Sequence, residues 1–229
     1  MRPRIVVVGS MRSGTGYVSR VLSECGVRCG HEAVFNYDGF GGWKDYAADS
    51  SWLALPALSS LENVLIVHLV RHPVAVARSA TSFFHQGPED SVYHRTIHQM
   101  IPDVFSTRSD PLERFAYYWV AWNRLVDTHV NDALIEGRCG AIRWRVEDLI
   151  STYDHQFGTV LRTCGYYVSD ERANRSLKMV PLNYNTHAVV DPHPKRYTWD
   201  DLETTLVGSE IGRLAREYGY EPKSEAPWV

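Results

Sequence analysis

The sequence predicts an α/β protein with a mainly parallel central sheet flanked by helices, and three observations predict it. Residues 4–9 (RIVVVG) and 63–70 (NVLIVHLV) are short, continuous, β-branched apolar runs, as expected of strands buried on both faces of a parallel sheet. After each run the apolar spacing changes to the period of a helix. No internal repeat, low-complexity tract or linker interrupts this alternation, so residues 1–229 are expected to form a single domain.

The elements follow in order. After the strand at 4–9, residues 14–25 place Tyr17, Val18, Val21 and Leu22 on one helix face. After the strand at 63–70, Pro73 stands where a helix begins and residues 74–84 continue it. A third strand is expected at 141–146, while residues 39–42 and 86–110 read as excursions from the framework. Residues 111–136 are strongly helical, with Phe115, Tyr118, Trp119, Trp122, Leu125, Val126 and Val130 along one stripe. Such a stripe reads first as core, although Trp119, Trp122 and Asn123 are also candidates for an acceptor pocket. Thr198 followed by Asp200 and Asp201 resembles a helix N-cap with an acidic first turn, so 199–218 is expected to be one closing helix. Glu147 and Asp148 have the same helix-starting character after the third strand.

Composition bounds the function. A chain with 44% hydrophobic and 22% charged residues is ordinary for a globular protein. The formal charge of −3 argues against broad, sequence-independent nucleic-acid binding, so any anionic ligand must be met locally. No apolar stretch approaches the roughly 20 residues that cross a bilayer, and the opening residues lack the apolar core and cleavage site of a signal peptide. The expectation is a soluble, cytoplasmic protein with no transmembrane segment. Cys25, Cys29, Cys139 and Cys164 form no CxxC pair and read as reduced thiols. His31-Glu32 is not followed by a second histidine at HExxH spacing, and no catalytic metal is expected.

The stretch VVVGSMRSGTGYVSRVL, residues 6–22, carries the first functional signal. A small-residue loop between a buried strand and a helix points backbone N–H groups at a ligand, and the helix start adds partial positive charge. Gly9 and Gly14 are separated by four residues, as in a P-loop, but Thr15 occupies the position of the P-loop lysine. The loop's cation is Arg12, with Ser13 and Thr15 supplying hydroxyls. The second signal is HLVRHPVAVARSATSF at 68–83, where Arg71 ends a strand and Ser79 follows in the next helix. Two anion sites imply a ligand with two phosphate groups.

RSGTGY at 12–17, taken with Arg71 and Ser79, resembles the paired signatures of sulfotransferases of bacterial and carbohydrate type that use 3′-phosphoadenosine 5′-phosphosulfate, PAPS. RWRVEDL at 143–149 and YTWDDL at 197–202 are weaker echoes. The resemblance implies a P-loop NTPase-like sulfotransferase fold and transfer of a sulfuryl group from PAPS to a hydroxyl or amine. The acceptor would be a small molecule, a glycan or a lipid-linked glycan. It also implies that Arg12, Ser13, Gly14, Thr15, Gly16 and Tyr17 form the 5′-phosphosulfate loop, and that Arg71 and Ser79 bind the 3′-phosphate. The chain departs from a common version of the first signature at Gly16 and Tyr17, where a second hydroxyl residue and a tryptophan often stand. Lys195 and Arg196 occupy the place of a basic loop that covers the cofactor in many sulfotransferases.

An uncharged acceptor needs a general base, and VRCGHEAVF at 27–35 offers Glu32 and His31. The resemblance assigns the base to Glu32, with His31 as rival because imidazole titrates near neutrality. Arg12 would steady the leaving oxygen. Two other function classes remain: an atypical P-loop kinase, which would need a lysine and a magnesium-binding carboxylate, and a nonenzymatic nucleotide-binding module, which would not need Glu32.

Overall fold

The computed structural model of the protein describes residues 2–85, 91–106, 108–151, 155–181 and 196–221. Along the chain run β1 (Arg4–Gly9), α1 (Thr15–Glu24), β2 (Cys29–His31), the hairpin strands β3 (Phe35–Asn36) and β4 (Gly39–Phe40), and β5 (Ala48–Ser50). A 3-10 helix (Trp52–Ser60), β6 (Val64–Val70), α2 (Pro73–Ala80) and a second 3-10 helix (Thr81–His85) follow. Then come α3 (Val92–Met100), α4 (Asp103–Ser106), α5 (Pro111–Ile135), β7 (Gly140–Arg145), α6 (Val146–Ser151), α7 (His155–Thr163), α8 (Asp170–Met179), α9 (Trp199–Glu203) and α10 (Gly208–Glu217). Among the described residues no helix is long and apolar enough to cross a membrane. The chain divides into two compact units: Met1–Gly9, Ser13–Val70 and Leu125–Thr186 form the first, and Ser10–Arg12, Arg71–Arg124 and His187–Val229 the second.

The first unit holds a five-stranded sheet in the order β2-β5-β1-β6-β7, with every pairing parallel. Ile5, Val6, Val7 and Val8 of β1 are all fully buried, which is why the run reads as continuous rather than alternating. Burying each such side chain contributes about 1.5–3 kcal/mol before entropy is charged against it. Tyr17, Val18, Val21 and Leu22 of α1 join Ile5, Val7, Phe157, Leu161 and Leu177 in one core cluster, as the helical spacing predicts. The α/β expectation is met: a parallel central sheet flanked by helices.

One strand in this sheet has no apolar signature. β5 reads Ala-Asp-Ser, yet all three residues are buried, with Ile5 opposite Ala48 and Val7 opposite Ser50 on one side and β2 paired on the other. Polar residues can occupy a central strand here because their side chains are satisfied by backbone groups from distant segments. The segment 39–42, expected as an excursion, contributes β4 to a two-stranded hairpin with β3.

In the second unit the helix after β6 starts at Pro73 as expected, but it tightens to 3-10 geometry after Ala80. There the Thr81 hydroxyl donates to the Ala77 carbonyl at 2.6 Å, competing with the helix ladder. The expected excursion at 86–110 contains α3 and α4 among its described residues. α3 is capped by Ser91, whose hydroxyl accepts the His94 amide, and it buries only His94 and Ile97, too narrow a stripe to read. Phe115, Tyr118, Trp119 and Trp122 of α5 are fully buried, so the aromatic stripe is core, and the Asn123 side chain donates to the Trp119 carbonyl.

The expected closing helix at 199–218 is two helices. Thr204 and Thr205 turn their hydroxyls back onto the Asp201 and Leu202 carbonyls, and the Leu206 amide donates to the Glu113 carboxylate at 3.0 Å. At Gly208 a Cβ would lie 2.1 Å from the Glu203 carbonyl oxygen, so the second helix starts on a glycine by necessity. The cap at Thr198 is as read: its hydroxyl accepts the Asp201 amide while the Asp201 carboxylate accepts the Thr198 amide. Thr198→Ala should therefore cost about 1 kcal/mol, read as a fall of roughly 2–4 °C in the thermal midpoint.

Candidate functional site

In open parallel sheets ligands bind beyond the carboxyl ends of the strands, where the chain leaves the central strand to either side. β1 is that central strand, with β5 and β6 as its neighbours. The sequence-predicted residues follow strand ends: Arg12 to Thr15 after β1, Glu32 after β2 and Arg71 after β6.

In the first unit the loop is built by glycine. A Cβ at Gly9 would lie 2.1 Å from the Leu69 carbonyl oxygen and 2.6 Å from Ser13 Oγ, so no other residue fits. Gly14 has φ near 100°, the left-handed region, and is the N-cap of α1 without a capping side chain. The first turn of α1 also carries no acidic residue, so among the described residues neither an N-cap side chain nor a carboxylate of its own first turn answers its N-terminal amides. Ser13 is fully buried and, among the described residues, its hydroxyl has no hydrogen-bond partner. An unanswered buried hydroxyl costs about 1–3 kcal/mol, which marks the loop as a place where folding does not satisfy its own polar groups. The Ser50 hydroxyl donates to the Thr15 carbonyl at 2.8 Å and ties the helix start to β5.

Thr15 and the base candidates come together. Thr15 Oγ1 lies 3.3 Å from His31 Nε2, and His31 Nε2 lies 3.9 Å from Glu32 Oε1. Glu32 is half-buried and adopts φ near 56°, a left-handed conformation uncommon for glutamate. Burial raises the Glu32 carboxyl pKa above its ordinary value and the Asp49 carboxylate raises it further, while a hydrogen bond from Trp52 pulls it back. A carboxyl raised in this way is a better proton acceptor near neutral pH than an ordinary one. Tyr17 behaves otherwise: its ring is buried in the core and its hydroxyl donates to the Leu177 carbonyl, so its side chain serves the fold.

In the second unit Arg12, Arg71 and Ser79 form one cluster. Arg12 Nε donates to Ser79 Oγ at 2.8 Å, and Arg71 Nη1 donates to the Arg12 carbonyl at 3.1 Å. The sequence reading gives Arg12 and Ser79 to different phosphates, and the structure places them in direct contact. Arg12 has φ near 68°, and burial lowers its guanidinium pKa while Tyr93 opposes the shift. The Met11 amide donates to the Tyr118 hydroxyl at 2.6 Å, which fixes the backbone just before Arg12.

Next to Arg71, His72 accepts the Val74 amide and packs edge-on against Trp199 and Tyr220, at ring separations of 5.8 and 5.3 Å. Burial, then Arg78 and Arg71, pull the His72 imidazole down to about 4, so it adds no charge beside Arg71 at neutral pH. Arg78 Nε donates to the Tyr197 carbonyl and anchors the segment that contains Arg196, which is exposed. Lys195 lies outside the described residues. Among the described residues no group of three or more His, Cys, Asp or Glu side chains is placed to hold a metal ion.

Sequence reasoning missed Asp49. This carboxylate is fully buried in β5 and accepts the amides of Ala33, Val34 and Phe35 at 3.1 to 3.2 Å, directly after Glu32. A single aspartate in a short polar segment carries no periodic signal that would reveal it. No model of a known protein family matches the chain, and no curated protein matches it.

Proposed function

We propose that the chain is a PAPS-dependent sulfotransferase with a P-loop NTPase-like sulfotransferase fold. It would act in the cytoplasm on a hydroxyl or amine of a small molecule, a glycan or a lipid-linked glycan. The observation that carries the reading is the start of α1. A left-handed glycine, no capping side chain and no acid leave its amides to an external anion, and Thr15 in that turn touches His31 beside Glu32.

PAPS supplies the sulfuryl group. Glu32 takes the proton of the acceptor hydroxyl as the acceptor oxygen bonds to sulfur. The bond from sulfur to the 5′-phosphate oxygen breaks and its electron pair stays on that oxygen, which departs as part of adenosine 3′,5′-bisphosphate. The α1 amides stabilise the charge that builds there. Arg71 and Ser79 take the 3′-phosphate, with neutral His72 as packing.

Turnover tests the proposal. PAPS labelled in its sulfuryl group, offered with a panel of alcohols, phenols, amines and sugars and without added metal, should yield a labelled ester or sulfamate and one equivalent of bisphosphate. Consumption of ATP with magnesium in place of PAPS would assign the chain to the kinase class.

A further inference from the structure

We propose that Asp49 is the positioning residue of the Glu32 base, its buried carboxylate organising the turn on which Glu32 is carried. The catalytic part of this inference rests on the sulfotransferase reading, and the structural part does not.

Three consecutive amides converge on one side chain. Asp49 Oδ1 accepts from Ala33 and Val34, and Oδ2 accepts from Phe35. Successive N–H groups wrapped around an anion form a nest, a geometry normally used for an external ligand. Here the anion is internal and held in β5, whose neighbours Ala48 and Ser50 pair with β1 and β2. The neighbouring strand is shaped to admit it: a Cβ at Gly30 would lie 2.4 Å from Asp49 Oδ1. The far end of the turn is secured separately, because the Ser51 hydroxyl donates to the Phe35 carbonyl at 2.9 Å and the Gly41 amide donates to the Val34 carbonyl. The Ser19 hydroxyl donates to the Gly30 carbonyl and steadies the strand before the turn. Glu32 is the hinge between these fixed points, and its left-handed backbone is the conformation that lets the next three amides face one carboxylate.

The groups facing the Glu32 carboxylate are Asp49 from β5, His31 from β2 and the Trp52 indole from the first 3-10 helix. Asp49 therefore acts on Glu32 in two ways: it sets the backbone, and its negative charge disfavours a second one on Glu32.

The test is Asp49→Asn. Keeping Oδ1 in place turns the new NH2 against the Phe35 amide, so the nest loses one acceptor. The kcat should fall by up to about 10²-fold with bisphosphate affinity unchanged. The acid limb of the kcat profile should move to lower pH, because Glu32 loses a neighbouring charge. An acid limb that stays in place would reduce Asp49 to a structural residue and overturn the inference.

Carboxyl carbon NMR of Glu32 needs no substrate. Its titration midpoint should fall in Asp49→Asn, and an unmoved midpoint overturns the inference even if no acceptor is ever found. Should the variant not fold, the wild-type amides of Ala33, Val34 and Phe35 should titrate together with the Asp49 carboxyl, and independent titration of the three would overturn the nest. Absence of sulfuryl transfer with every acceptor would count against the function alone.

Discussion

Glu32→Gln should lower kcat for sulfuryl transfer by about 10²–10⁴-fold while leaving bisphosphate affinity intact. Glutamine keeps the volume and one oxygen able to accept the Trp52 hydrogen bond, so the turn has no steric reason to move. What it lacks is the ability to take a proton. The pH profile provides a second check. Because burial and Asp49 raise the Glu32 carboxyl pKa, the ionised base is lost as pH falls through a value above the ordinary one for glutamate. The wild-type acid limb should lie correspondingly high and be absent from any residual activity of the variant. Undiminished turnover in Glu32→Gln would transfer the role to His31, which already lies 3.3 Å from Thr15, and His31→Ala would then show the loss.

Arg71→Ala should weaken binding of adenosine 3′,5′-bisphosphate by roughly 10–100-fold, the value of one or two charge-assisted hydrogen bonds. AMP supplies an internal control. It lacks the 3′-phosphate, so its affinity should change little in the same variant. Arg71 also donates to the Arg12 carbonyl, and equal losses for both nucleotides would show that the side chain acts by holding Arg12 rather than by meeting the 3′-phosphate. Arg71→Lys should recover part of the affinity, since a lysine keeps the charge but not the forked donor geometry.

The legible parts of this fold share a cause. β1 and β6 are runs whose residues are buried or half-buried in a parallel sheet, and α1 and α5 present apolar residues at helical spacing over several turns. In these segments hydrophobicity along the chain reports directly on burial. β5 is illegible because its burial depends on partners elsewhere: Asp49 is satisfied by amides at 33–35, and Ser50 by the Thr15 carbonyl. The break between α9 and α10 likewise depends on Glu113, far away in sequence, receiving the Leu206 amide. α3 is short and buries a histidine in place of an apolar residue, so its pattern falls below what periodicity detects.

The site divides in the same way. Arg12, Thr15 and Arg71 stand out because loops after parallel strands and their cations are local features. The contact of Arg12 with Ser79 was not legible, since the two residues lie 67 positions apart in the sequence. Asp49 was not legible because its hydrogen-bond partners are backbone amides at 33–35, which leave no side-chain signature in the sequence.

Calorimetric titration of the wild-type protein with adenosine 3′,5′-bisphosphate, beside AMP and ATP with magnesium, tests the central claim most directly. The account predicts tight, magnesium-independent binding of the bisphosphate, weaker binding of AMP and no preference for ATP. Preference for ATP with magnesium, or no binding of the bisphosphate, would contradict it.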